Sequence, residues 1–368
     1  MARRLLTGIG VPFLSLFSAL LLGSFVILST GGGWDKVFRA YEAVVYGAFL
    51  KPRGFSETLL AMTPLIFTGL AVALAFKAGL FNIGGEGQFL IGSLFSVWVG
   101  YHLTALPGIV LAPLGLIAGM IGGALWAGIA GYLKARLGSH EVINTIMLNY
   151  IAFNLGDFLV NSRGPMNDPT SSVPRSPMIA LGAHLPRLNP GSSTDRLHAG
   201  FILALVAMAV VWWLLYKTTI GFELRTTGAN PDAARYAGMN ARRNLVLAMS
   251  LSGSLAGLAG AVEVQGLNFY VPAAVQSFSA GYGFDAIAVA LLGHNHPFGV
   301  LPGAFLFGAM RTGADLMQLR TGVSRYVISI IQALVLLFAA APAIVRWLYR
   351  IRVERRVEEA PLTRGWGA

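Results

Sequence analysis

Apolar residues arrive in this chain in long blocks separated by short polar clusters. A helix needs about 20 mostly apolar residues to cross a hydrocarbon core. Ten blocks meet that length, near 5–28, 58–76, 80–101, 106–132, 141–161, 198–216, 245–265, 275–293, 297–314 and 326–349. Only Gly293-His294-Asn295-His296-Pro297 separates the eighth from the ninth, a turn that fits two crossings or a re-entrant pair. The first block follows Arg3-Arg4 as a secretory signal would. Its apolar run is about twice a usual signal core and no A-x-A site follows, so it reads as an uncleaved helix.

Composition turns the pattern into a class. Of 368 residues, 55% are hydrophobic and 12% charged, with a mean hydropathy of +0.65, well beyond soluble usage. No long polar segment is left over for a second domain. The reading is an all-α integral membrane protein of about ten helices, with 1–349 a single transmembrane domain and 350–368 a basic cytoplasmic tail. With no Cys, disulfides and thiolate sites drop out. The net charge of +11 raises nucleic acid as a partner, so the placement of the 27 Lys and Arg matters. Sixteen fall on the side of the termini and ten opposite, with Arg311 inside the ninth span and able to snorkel outward. That bias makes both termini cytoplasmic and explains the basicity with lipid, not nucleic acid, as the partner.

Small residues predict where helices touch, since helices in lipid associate by close backbone approach. Gly115, Gly119 and Gly123 recur at every fourth position of the fourth span, and Gly253, Gly257 and Ala261 do so in the seventh. Both are packing seams.

Three polar stretches stand out against this background. FNIGGEGQ, residues 81–88, opens the third span near the cytoplasmic face. Its glycines favour a broken helix start, tolerated at depth only beside protein or a wet cavity. Glu86 then either caps the following helix, worth about 0.3–1 kcal/mol, or lines a pathway with Asn82 and Gln88. In the fifth span, Glu141, Asn144, Thr145 and Asn149 share one arc facing the bundle interior, and Asn154, Asp157 and Asn161 cluster nearer the outer surface. The alternative for each is interhelical hydrogen bonding. Gln265, Asn268, Phe269 and Tyr270 end the seventh span with amides beside aromatics, a combination suited to a flat polar solute.

The cytoplasmic loop 217–244 holds GFELRTTGANPDAARYAGMNARRN. Asn230 is an N-cap, Pro231 suits the first helical position, Asp232 meets the helix dipole, and Gly238 is a C′ stop. A helix over about 231–237 is too short to stand alone in water. It needs a surface, for which Ala233, Ala234, Tyr236 and Ala237 supply contacts.

FNIGGEGQ, HEVINTIMLNYIA, TGANPDAARYAGM and LLGHNHPFGVLPGAFLFGAM, in that order over residues 81–310, resemble the membrane permease subunits of bacterial ABC importers of the branched-chain amino acid, simple-sugar and nucleoside group. EVINTIMLNYI and the long outer loop are most similar to permeases paired with nucleoside-binding basic membrane lipoproteins. The resemblance implies a multi-pass protein of the bacterial inner membrane that forms the pathway for a small polar solute. It implies that Gly228, Asn230, Pro231, Ala233, Ala234, Arg235, Tyr236, Ala237 and Gly238 contact a separate ATP-binding subunit. It also implies a second permease, of a different chain, and an external solute-binding lipoprotein that meets the loop 162–197. No G-x-x-x-x-G-K-[ST] loop occurs, so this chain binds no cofactor and is no enzyme, and ATP and Mg sit on the partner. The family's inverted halves would pair spans two to five with seven to ten, echoed in GGEGQFLIGSLF and PFGVLPGAFLFG.

Two rival classes fit less well. A secondary transporter would place carboxylates at the midplane, and of Glu86, Glu141, Glu263 and Asp285 only Asp285 maps there. A membrane enzyme would need a cluster such as H-E-x-x-H or G-x-S-x-G, and neither occurs. His294-Asn295-His296 reads as a turn before a metal site.

Overall fold

The structure, a computed structural model, describes residues 10–349 apart from 192–193, 280, 342–343 and 346–347. The tail 350–368 and Arg3-Arg4 lie outside the described residues. Among the described residues there is no strand. The α-helices are α1 (Gly10–Ser29), α2 (Gly33–Val45), α3 (Gly54–Lys77), α4 (Gly85–His102), α5 (Gly108–Leu137), α6 (Glu141–Val160), α7 (Gly200–Lys217), α8 (Thr219–Ala229), α9 (Pro231–Tyr236), α10 (Ala241–Glu263), α11 (Val275–Ser279), α12 (Tyr282–Leu292), α13 (Pro297–Thr321) and α14 (Tyr326–Ala340). Among the described residues, six stretches are long and apolar enough to cross a membrane: α3, α5, α6, α7, Ala241–Asn268 and Val275–Leu292. Shorter apolar helices cover Phe13–Ser29 and Tyr326–Ala340.

α3 and α10 form the centre, and each is buried on nearly all sides, which is why neither shows an amphipathic stripe. Around them the packing repeats in exchanged form. α5 lies on α10 and α4, whereas α13 lies on α3 and α12; α4 crosses α10 as α12 crosses α3. The runs α3–α6 and α10–α14 thus pack as counterparts. The sequence echo is out of register with this exchange, because GGEGQFLIGSLF opens α4, whose counterpart is α12, while PFGVLPGAFLFG opens α13. The two glycine seams face each other: a Cβ on Gly123 of α5 would fall 2.8 Å from the Cα of Gly257 of α10. That approach brings the backbones together without side-chain bulk, the usual source of helix adhesion in lipid.

Three elements differ from the hydropathy map. The segment 29–57 is not a bare loop but contains α2, which buries Val37, Ala40 and Ala43 against Met310, Ala314 and Met317 while exposing Trp34 and Phe38. A 13-residue amphipathic helix is too short and too polar on one side for a window tuned to full crossings. The eighth span is two helices, α11 and α12, separated at Gly281 with φ 79°. The ninth is a continuous helix running on to Thr321, past Arg311 and Asp315. The loop between α6 and α7 is tied down by backbone pairing, with the amides of Ser176, Ile179 and Leu185 donating to the carbonyls of Val271, Phe269 and Gln265 at 2.8–2.9 Å.

Candidate functional site

The polar opening of α4 is buried within the bundle. Helix α3 ends at Lys77, and the chain then runs non-helically through Phe81, Asn82 and Ile83 before α4 starts at Gly85. The Asn82 amide donates at 2.8 Å to the Ser252 hydroxyl, which donates at 2.7 Å to the carbonyl of Ala71, nearly two turns back from the end of α3. Asn82 and Gln88 form a reciprocal amide pair, each Nδ2 or Nε2 donating to the other's oxygen at 2.9 Å. Asn149 of α6 clamps the same turn: its Oδ1 accepts from the Gly87 amide at 2.8 Å and its Nδ2 donates to the Ile83 carbonyl at 2.9 Å. Backbone groups that a broken helix leaves open are thereby satisfied inside the bundle.

Glu86 is 1% exposed. Its Oε1 accepts from the amides of Gly283 at 2.8 Å and Phe284 at 3.3 Å, in the first turn of α12. The expected cap therefore serves a different helix. Gly85 and Gly283 allow the two starts to meet, since a Cβ on Gly85 would lie 3.0 Å from the Cα of Gly283. Two helix N-termini, each with partial positive charge, converge on one carboxylate. That is why a glycine-rich interruption here carries a Glu.

On the opposite side of the α3–α4 turn sits the loop 217–244. The Asn230 Oδ1 accepts from the amides of Asp232 and Ala233, both at 3.0 Å, and opens α9. The helix closes with the Met239 amide on the Ala234 carbonyl, the Gly238 amide on the Arg235 carbonyl, both at 2.9 Å, and Gly238 at φ 79°. This is a Schellman arrangement, with Gly238 at the C′ stop expected from the residues. Of the four contact residues named, only Ala234 is buried in this chain; Ala233 and Ala237 are exposed and Tyr236 is 95% exposed. Gly228, at the end of α8, packs on Gly79 so closely that a Cβ on Gly79 would lie 2.9 Å from the Cα of Gly228. The helix α9 is therefore one contact away from the turn that leads to Asn82 and Glu86.

A cavity of about 1020 Å³ opens between α3, α10, α12 and α13. Its walls include Glu57, Arg196, Glu263, Tyr282, Asp285 and Arg311. Arg196 forks onto Glu57 at 3.1 and 2.6 Å. Arg311 does not snorkel. It donates to Asp285 at 3.2 and 2.7 Å and lies 4.4 Å over the Tyr282 ring. An arginine facing a cavity with a carboxylate in reach avoids the cost of lipid exposure altogether. Near the mouth, Asp195 accepts from the Ser56 hydroxyl at 2.5 Å, and that bond, with the Leu197 amide, holds its carboxyl below the usual range.

Residues 54–340 match the family model described as branched-chain amino acid transport system / permease component. The chain belongs to this permease family. Over 92% of its length it is 41% identical to a guanosine ABC transporter permease protein, NupP, of Bacillus subtilis (strain 168), covering 94% of that protein. It is 38% identical to a nucleoside ABC transporter permease protein, NupB, of Lactococcus lactis subsp. cremoris (strain MG1363), over 91% of each chain. A glucose ABC transporter permease protein, TsgB13, of Haloferax volcanii is 36% identical over 96% of this chain and 92% of its own.

The residues picked from the permease's sequence fall into two groups in its structure. Asn82, Glu86, Gln88 and Asn149 come together at the α4 start. The others stand apart. Glu141 pairs with Lys134 at 2.8 Å and Asn144 donates to the Ser139 hydroxyl at 2.6 Å, both at the α5–α6 turn. Gln265 ties the end of α10 to Ser96 and the Ala112 carbonyl at 3.2 Å. None of these lines the cavity. Asn268 reaches its wall indirectly, donating to Glu263 at 3.2 Å. Glu57, Arg196, Tyr282 and Arg311 were missed. An Arg within one apolar block and an Asp within the block before it was the available signal for the Arg311–Asp285 pair.

Proposed function

We propose that this permease is the membrane subunit of an ATP-driven importer of nucleosides, residing in the bacterial inner membrane with ten crossings and cytoplasmic termini. The observation that carries the reading is α9: a helix of six residues, capped at both ends, whose largest side chain is left in solvent. So short a helix gains stability from the surfaces it docks on; Ala234 docks on this chain, and Tyr236, left over, is an aromatic anchor of the kind that fills a pocket on a partner. The partner is a separate ATP-binding subunit that carries ATP and Mg. A second permease of a different chain completes the pathway, and a solute-binding lipoprotein delivers nucleoside to the ordered outer loop 162–197. The similarity to permeases named for guanosine and nucleosides supports the solute class; the glucose-permease relative favours a sugar as the second reading.

Motion imposed on α9 passes through Gly228 and Gly79 to the turn before α4, then through Glu86 to the first turn of α12, where Asp285 and Arg311 meet the cavity. In this reading Asn82, Gln88 and Asn149 stiffen the lever, and the cavity is the solute's path. The test uses the native absence of cysteine. Tyr236→Cys should label with a membrane-impermeant maleimide only from the cytoplasmic side and be protected once the ATPase is bound, and Tyr236→Ala should lose ATPase co-purification and uptake together. Labelling from outside, or wild-type uptake by Tyr236→Ala, removes the coupling assignment.

A further inference from the structure

The charged groups in the cavity wall are almost all used up by one another. Glu57 holds Arg196, Asp285 holds Arg311, and Asp315 lies 3.8 Å from Arg325. Lys51 and Arg53 stand exposed at the mouth. One wall carboxylate remains. Glu263, 8% exposed at the end of α10, forms no ion pair, and its one hydrogen bond comes from the neutral Asn268 amide at 3.2 Å. A carboxylate offers about four acceptor positions, so most of its capacity is unspent. Gln332 of α14, in the same wall, is 5% exposed and its Nε2 has no hydrogen-bond partner. Buried polar groups left without partners are costly and uncommon. Here an acceptor and a donor are both left over, and both belong to the same cavity.

Resting on the nucleoside reading above, we propose that Glu263 and Gln332 are solute contacts in the permease itself, with the Glu263 carboxyl accepting from the vicinal hydroxyls of the ribose and the Gln332 amide donating to a carbonyl of the base. Two neighbouring hydroxyls match the two oxygens of a carboxylate, and the Asn268 amide, donating to Oε1 of Glu263 at 3.2 Å, restrains the carboxylate's rotation. A site equipped to accept from hydroxyls discriminates against a solute that lacks them, because its own acceptor then goes unpaired. The permease adds a second sieve behind the binding protein.

The experiment measures uptake into proteoliposomes holding the complete transporter, with saturating binding protein, for guanosine and for 2′,3′-dideoxyguanosine. The same binding protein serves every variant, so its own preference cancels in the ratio. Wild type should move guanosine faster, and Glu263→Gln should slow guanosine by about tenfold, the worth of one charge-assisted hydrogen bond, while leaving the dideoxy analogue alone, so that the preference collapses. Assembly is checked by co-purification of the ATPase. Gln332→Leu, which breaks no protein hydrogen bond at Nε2, should slow both solutes equally, by about threefold to tenfold. Unchanged guanosine uptake in Glu263→Gln, or in Gln332→Leu if the first variant fails to assemble, overturns the inference while nucleoside transport by wild type stands. A wild-type transporter that moves neither solute overturns the nucleoside reading, and this inference with it.

Discussion

The loop around α9 and the start of α4 are built from the same kinds of residue and hold together in opposite ways. Each interrupts an apolar chain with glycines, an Asn and an acidic residue. At α9 the polar groups close on their own neighbours: Asn230 on Asp232 and Ala233, Met239 on Ala234. At α4 they reach across the bundle, Asn82 to Ser252, Glu86 to Gly283 and Asn149 to Gly87 and Ile83. The first arrangement leaves side chains over for something outside the chain. The second spends them on fixing where two helices begin. A polar cluster in a membrane protein is thus a docking feature or a structural joint according to whether its hydrogen bonds are local.

The comparison breaks first at Glu86. Replacing it by Leu leaves the buried Gly283 amide and the part-buried Phe284 amide without an acceptor, at about 1–3 kcal/mol for the buried one, so Glu86→Leu should lower the melting temperature of the purified permease by several degrees and abolish uptake. A variant that melts with wild type would mean that the junction is not a joint. Gly238→Val tests the other side. A β-branched residue in the left-handed conformation costs about 1–2 kcal/mol, yet the loss should stay within α9, so uptake and ATPase binding should fall with the bundle's melting unchanged. A drop in melting equal to that of Glu86→Leu would erase the distinction. The smallest effect separates two asparagines of α6. Asn149→Leu should cut uptake, because two backbone groups at the α4 turn lose their partner, whereas Asn144→Leu gives up only the Ser139 hydroxyl, about 0.5–1.5 kcal/mol, and should transport nearly as wild type. Equal losses in the two would point to a shared pathway face on α6 and away from the joint.

How much of the site could be read in advance follows the same divide. The cap at Asn230 and the stop at Gly238 act within a few residues, so residue type and spacing were enough to place α9 to within one residue at its C-terminal end. Glu86 was recognisable as an anomaly, but its partner lies 197 residues away, and the nearest available reading was a cap on its own helix. The glycine seams on α5 and α10 were legible singly, since small residues at every fourth position make a flat face. That they face each other was not, because any two flat faces could pair. Helix α2 escaped for a different reason: thirteen residues with one wet face carry too little mean apolarity for a membrane window.

The amino-acid pattern by itself determined the solvent, the class, the main helices and the capped helix α9, because hydropathy, charge bias and capping are properties of neighbours along the chain, and the resemblance of its four motifs pointed to the family. Only the tertiary structure decided that α4 starts inside the bundle against α12, that Arg311 turns to Asp285 instead of the lipid headgroups, and that Glu263 and Gln332 share a cavity with bonding capacity to spare. Those outcomes depend on which distant groups arrive within hydrogen-bond reach once α3 and α10 have packed. In a low-dielectric bundle an unpaired polar group costs so much that such meetings, and not the identity of the residues, set what each one does.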